Sequence, residues 1–185
     1  TLVEGQLHDD KGRRIGHLAG RSGDFINNIN KKISDNVDVI ADIDTSFMED
    51  AEVAIVAYGS VVRPAINAVK KARKVEDDRV TTKFKILKDI FVKGIPETFE
   101  TDYSHLKVGL VKVNTVWPCP EELLKEATKD AKIVIVPEMN VGKYVHEVER
   151  VLKDKKVIPM SKCGGDIHTP TEILDEILKE AGIDE

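Results

Sequence analysis

Residues 131–154 read AKIVIVPEMNVGKYVHEVERVLKD. The opening half is an apolar run without alternation, which suits a strand buried on both faces of a parallel sheet. The second half changes period: Val141, Tyr144, Val145, Val148 and Leu152 recur at helical spacing and share one face. A strand that hands over to a helix within a few residues is half of a βαβ unit. A chain that repeats the unit folds as a parallel sheet covered by helices.

The same alternation recurs on both sides of this stretch. AEVAIVAYGS (51–60) precedes VVRPAINAVKKARK, in which Val62, Ile66, Val69 and Ala72 fall at helical spacing and Ser60 is placed to cap. LKVGLVKVNTVW (106–117) runs through Trp117, Pro118, Cys119 and Pro120 into EELLKEATKD, and Pro120 suits a first helical turn because its φ is already set. KKVIPMSKCGG (155–165) leads to Thr169 and Pro170, a cap followed by proline at the first helical position, and then TEILDEILKEAG. Residues 37–43 (VDVIADI) are expected to add a fifth strand. The expectation is about five strands and four helices, with one sheet covered on both faces. Residues 75–105 break the rhythm, since such connections usually take about 2–6 residues. They are expected to form an ordered insertion in which Phe84, Leu87 and Phe91 face one way on a helix, although KFKI also reads as a strand. Residues 1–35 are polar and glycine-rich and read as an arm or interdomain linker with a short helix around Asp24 to Ile33. With Thr1 in first place, the chain is expected to be a piece of a longer one.

Composition narrows the function. The 185 residues are 41% hydrophobic and 33% charged, enough for a core without disulfides or metals. The net charge of -5 gives no global attraction for phosphate, so nucleic acid is not an expected partner. No apolar run approaches the roughly 20 residues that span a bilayer, so no membrane role is expected. The two cysteines, Cys119 and Cys163, form no CxxC pair and no cluster at zinc or iron-sulfur spacing. A reducing cytoplasm suits that usage.

In a parallel sheet, ligands meet the loops at the carboxyl ends of the strands. Here those are Gly59-Ser60, Trp117 to Pro120, Pro137 to Gly142 and Cys163 to His168. GSVVRPA lacks the further glycines of a dinucleotide fingerprint. MNVGKY is no phosphate loop, because Pro137 stands where its first glycine belongs and Tyr144 where a magnesium-binding hydroxyl belongs. Glu138 and Asn140 read either as ligand contacts or as caps of the following helix, and asparagine's preference for N-caps favours the second. Cys119 sits near a helix N-terminus but has no histidine close in sequence, and free cysteine is more often a small buried hydrophobe. The histidines His8, His17, His105, His146 and His168 show no zinc spacing. No catalytic residue, no cofactor-binding residue and no metal ligand is therefore expected in this segment. The loop residues Trp117, Pro118, Pro120, Glu138, Met139, Asn140 and Gly142 are the candidates for an interface.

Four stretches taken together, VAYGSVVRPAINAVKKAR, VGLVKVNTVWPCP, IVIVPEMNVGKYVHEVERV and CGGDIHTPTEIL, resemble the C-terminal part of the alpha subunit of 2-oxoacid:ferredoxin oxidoreductases, the 2-oxoglutarate type most of all. The family's strand ending YGS, its T-x-W-P-x-P corner, its P-E-x-N-x-G loop and its GG-x-x-H-T-P turn occur here in that order, and LHDDKGRR is similar to its linker. The resemblance implies a three-layer αβα sandwich like the transketolase C-terminal domain, on a five-stranded mostly parallel sheet with residues 37–43 as the strand that runs opposite. On that reading residues 1–35 are the linker from a missing N-terminal domain and residues 36–185 the domain itself, inserted at 75–105. The whole enzyme would decarboxylate a 2-oxoacid oxidatively with coenzyme A, using thiamine diphosphate, magnesium and an iron-sulfur cluster, and would pass electrons to ferredoxin. Its thiamine would lie between the missing domain and the beta subunit, so this segment would be a structural and assembly module that is inactive alone. The alternatives are an independent small-molecule or anion-binding α/β domain, or the same domain of another thiamine enzyme.

Overall fold

The computed structural model describes residues 7–9, 11–14, 19–75 and 106–182. Two units separate, residues 1–41 and 42–185. In the first, helix α1 (Ala19–Ser34) is longer than the short helix expected at Asp24 to Ile33 and exposes Phe25, Ile26 and Ile29. Before it, the Asp9 carboxylate accepts from the amides of Lys11 and Arg13 at 3.0 and 2.8 Å, closing a turn bridged by His8 and Arg14. A four-residue helix, α2 (Val37–Ile40), ends the unit.

The second unit holds β1 (Ile43–Ser46), β2 (Val53–Tyr58), α3 (Val62–Ala72), β3 (Val108–Val113), α4 (Glu121–Ala127), β4 (Ile133–Glu138), α5 (Tyr144–Val151), β5 (Lys156–Ser161) and α6 (Pro170–Glu180). The sheet order is β1-β3-β2-β4-β5; β1 is antiparallel to β3 and the other pairings are parallel. The opposite-running strand is therefore present, but not at 37–43. Most of that stretch is α2, and the strand begins at Ile43, where Asp44 can meet Lys112 across the ladder at 2.8 Å. The far edge is β5, which carries Pro159.

The period of two divides the strands between two cores. Ile55 and Ala57 of β2, Val108 and Leu110 of β3 and Ile135 of β4 face α3 and α6. Ala54, Val56, Val111, Val134 and Val136 face α4 and α5. Residues 53–57 are buried throughout, which is why they read as an unbroken apolar run. On α3 the small residues Ala65, Ala68 and Ala72 are fully buried beside Val69, and the expected Val62 and Ile66 only flank them. On α5 the buried face is Tyr144, Val145, Val148 and Val151, continued by Leu152, whereas Val141 precedes the helix and is 73% exposed. Ser60 does not cap α3: a 3-10 turn, Gly59–Val61, intervenes, and Val61 takes the cap position without a side-chain bond. Thr169 does cap α6, in a reciprocal pair with Glu172, and Pro170 opens the helix.

Arg73, just past α3, ties the amino end of the sheet together. Its guanidinium donates to the carbonyls of Val108 (2.6 Å) and Phe47 (3.1 Å) and to Asp50 (2.6 Å), and lies 5.5 Å from the centre of the Phe47 ring. Apart from Val75, the insertion expected at residues 75–105 lies outside the described residues.

Candidate functional site

β4 ends in a carboxylate that points inward. Glu138 is 1% exposed. Its Oε1 accepts from the Val145 amide (2.9 Å) and its Oε2 from the Tyr144 amide (2.8 Å), two of the donors that the first turn of α5 leaves without helical partners. Oε2 also accepts from Asn140 Nδ2 (3.0 Å) and the Tyr58 hydroxyl (3.2 Å). Asn140 Oδ1 accepts from the amides of Gly142 and Lys143, both at 2.9 Å, and its Nδ2 donates to the Tyr58 hydroxyl at 2.9 Å. Gly142 has φ +83, and a Cβ there would stand 3.2 Å from Ser161 Oγ, so the loop needs glycine on both counts. Burial pushes the Glu138 carboxyl up, but the donors on Asn140, Tyr144, Val145 and Tyr58 outweigh it and hold the group below its ordinary value. The same burial, with Glu138 beside it, raises the Tyr58 phenol.

Two members of this cluster were not legible in the sequence. Tyr58 is only the end of a strand there, and its role depends on pairing 80 residues away. His168, read as a loop residue, is 6% exposed and its Nε2 lies 3.1 Å from the Glu138 carbonyl. It fastens the start of α6 to the end of β4.

The Trp117 corner frames the other side. Trp117 is 67% exposed, the bond to Pro118 is cis, and Pro120 takes the cap position of α4 rather than a place inside its first turn. Cys119 is half-buried with its Sγ 3.9 Å from the Tyr144 hydroxyl, whose ring packs edge-on against Tyr58 at 5.3 Å. Burial pushes the Cys119 thiol up, and Glu147 and Glu121 add to it. Because the thiolate is the reactive form, a disulfide reagent at neutral pH is expected to modify exposed Cys163 at least about tenfold faster than Cys119. Mass-spectrometric time courses on the single Cys→Ser variants check this; equal rates would return Cys119 to the list of reactive groups.

These loops therefore combine a fixed interior with an apolar exterior. Val116, Trp117, Met139, Val141 and Ile167 are all exposed and all follow the carboxyl ends of parallel strands. The crossovers leaving β2 and β4 run in opposite directions, so the crevice that doubly wound sheets offer to ligands would open between their ends. Here Tyr58, Asn140 and Met139 stand in it, and Ser60 Oγ donates to Met139 Sδ at 3.2 Å. Among the described residues no three His, Cys, Asp or Glu side chains converge as a metal site, and no helix is long and apolar enough to cross a membrane.

Residues 101–173 match the family model for pyruvate:ferredoxin oxidoreductase core domain II. The chain is similar to subunits of 2-oxoglutarate synthase. It is 33% identical over 178 residues to 2-oxoglutarate synthase subunit KorA of Methanocaldococcus jannaschii, covering 95% of this chain and 39% of that protein. To KorA of Methanothermobacter marburgensis it is 28% identical over 179 residues, covering 95% of this chain and 40% of that one. The chain thus spans about two-fifths of the length of the curated oxidoreductase subunits it matches. Its fold is like part of the 2-oxoglutarate:ferredoxin oxidoreductase of Magnetococcus marinus, solved with 2-oxoglutarate, coenzyme A and succinyl-CoA bound, at a TM-score of 0.59 and 24% identity over 97% of this chain and 26% of that one.

Proposed function

We propose that this chain is an assembly domain of a 2-oxoacid:ferredoxin oxidoreductase of the 2-oxoglutarate type, docking other parts of the enzyme through its strand-end loops. The observation that carries the reading is the division of labour in those loops. Their polar groups are consumed internally by Glu138 and Asn140, while Trp117, Met139, Val141 and Ile167 are turned outward on a frame that cannot rearrange cheaply. Rigid exposed apolar side chains are what a docking surface uses, because little conformational entropy is lost when they are covered. The relatives' names support the enzyme class.

On this reading residues 1–35 are the arm from an N-terminal domain, residues 36–185 are the docking domain, and the beta subunit is the neighbour. The whole enzyme acts in the cytoplasm on a 2-oxoacid, with coenzyme A as acceptor and ferredoxin taking the electrons. On the same reading thiamine diphosphate, magnesium and the iron-sulfur cluster belong to other parts of that enzyme. Binding of a small molecule at the sheet crevice is the second reading, and the side chains of Tyr58, Met139 and Asn140 in that crevice argue against it.

Trp117→Ala combined with Met139→Ala tests the proposal in the full-length reconstituted enzyme. Both side chains are exposed, so the melting temperature of this chain should stay nearly constant, with surface substitutions worth within about 0.5 kcal/mol. The affinity for the partner subunits should fall by about 30-fold or more, the scale of a lost hot spot. Native mass spectrometry or sedimentation gives the comparison; unchanged assembly would refute the docking role.

A further inference from the structure

At the carboxyl end of the sheet, charge follows the order of the strands. Arg63 and Lys143 each lie five residues past the end of a strand, β2 and β4, which are neighbours in the middle of the sheet. Both are exposed, and among the described residues no acid pairs with either side chain. Other cations nearby are committed: Arg150 holds Glu121 at 2.7 Å, and Lys162 holds Glu172 at 2.7 Å. The Glu138 carboxylate is taken by the first amides of α5, so it offsets the positive end of that helix. α3 has no such acid: Val61 caps it without a side-chain bond and Arg63 stands in its first turn, so the fields of helix and guanidinium add. Exposed acids without a cation stand instead at the two margins. Asp42, just before edge strand β1, accepts from Asn114 Nδ2 at 2.9 Å, and Asp166 follows edge strand β5. In a chain of net charge -5, this end is positive in the middle and negative at its edges.

We infer, resting on the docking role proposed above, that the surface received by the strand-end loops is an acidic one on a different polypeptide. Its carboxylates meet Arg63 and Lys143 at the centre, and its apolar side chains cover Trp117, Met139 and Val141 around them. Covering an unpaired cation with an apolar surface costs its hydration, and facing it with a like charge costs more. An opposed carboxylate is what lets the apolar contact form without that loss. The same order of charge argues against a second copy of this chain. A twofold contact centred on this face would bring the two pairs of cations together, and that repulsion selects for a partner of the other sign.

Association kinetics of the full-length chain with its partner subunits test this, with the wild type compared against Arg63→Glu combined with Lys143→Glu. The wild-type association rate should fall about tenfold between about 50 and 500 mM salt, as the opposed charges are screened. At the lower salt the charge-reversed pair should associate at least about tenfold more slowly than the wild type, and its rate should no longer fall with salt. Both positions are exposed and unpaired, and an acid in the first turn of α3 suits that helix, so the melting temperature should not drop. A wild-type rate indifferent to salt overturns the inference without any variant. So does a reversed pair that assembles like the wild type: if Trp117→Ala with Met139→Ala still weakens assembly, the docking role stands and only the acidic partner falls, whereas if neither pair has an effect both fall. Faster association of the reversed pair would assign a basic partner instead. A dimer of this chain alone that is lost in Trp117→Ala with Met139→Ala would give the face to a second copy, which also overturns it.

Discussion

Glu138→Ala is expected to lower the melting temperature of the chain by about 10 °C, on the basis of a loss of about 3–4 kcal/mol and roughly 2–4 °C per kcal/mol for a protein of this size. The side chain accepts four hydrogen bonds from a position that is 1% exposed. Its removal leaves the amides of Tyr144 and Val145 without acceptors, along with one donor each on Asn140 and Tyr58, and buried orphan donors cost about 1–3 kcal/mol apiece before relaxation and water entry. Glu138→Gln keeps the volume but turns one acceptor into a donor facing the helix amides, so it should recover no more than about half the loss. The carboxyl is held below the ordinary glutamate value, so the stabilisation it supplies is complete above that value and disappears as pH falls through the lower folded one. Denaturant unfolding from pH 7 down to pH 3 should therefore show the wild type losing stability in a range where Glu138→Gln changes less. Parallel curves for the two would mean that the charge of Glu138 contributes nothing.

Leu124→Ala is the second large effect, expected to cost about 3 kcal/mol. α4 is seven residues long, and Leu124 is its only buried residue. An isolated helix of that length does not persist in water, so its existence depends on that contact. Calorimetry should report the loss, and exchange of the α4 amides should accelerate more than that of β3 or β4. Leu123→Ala, one position away and 41% exposed, should shift stability by less than about 1 kcal/mol. Comparable losses at the two positions would show that α4 is held by something other than the sheet.

The sheet and its covering helices were readable because buried parallel strands give unbroken apolar runs and the helices between them give a clean change of period. β2, β3, β4 and β5 all fall inside the runs at 51–60, 106–117, 131–140 and 155–165. The errors came where local pattern is mute. VDVI has the composition of a strand, yet it turns as α2, because the antiparallel edge strand is chosen by pairing with β3 and starts at Ile43. Ser60 has the chemistry of a cap, but the positive φ of Gly59 starts a tight turn that carries the serine toward Met139. The start of α5 is different: Glu138 and Asn140 both read as caps of the following helix, and Glu138 accepts from the Tyr144 and Val145 amides while Asn140 accepts from those of Gly142 and Lys143 just before it.

The edges of the sheet bear on how such a domain can meet its neighbours. β5 carries Pro159, which removes a donor from the open edge, and β1 is only four residues long with Asp44 committed to Lys112. Neither edge is a good template for another strand. The domain is thereby guarded against sheet-to-sheet growth while its end loops stay apolar, so an apolar contact made at those loops brings no inviting strand edge with it to seed fibres.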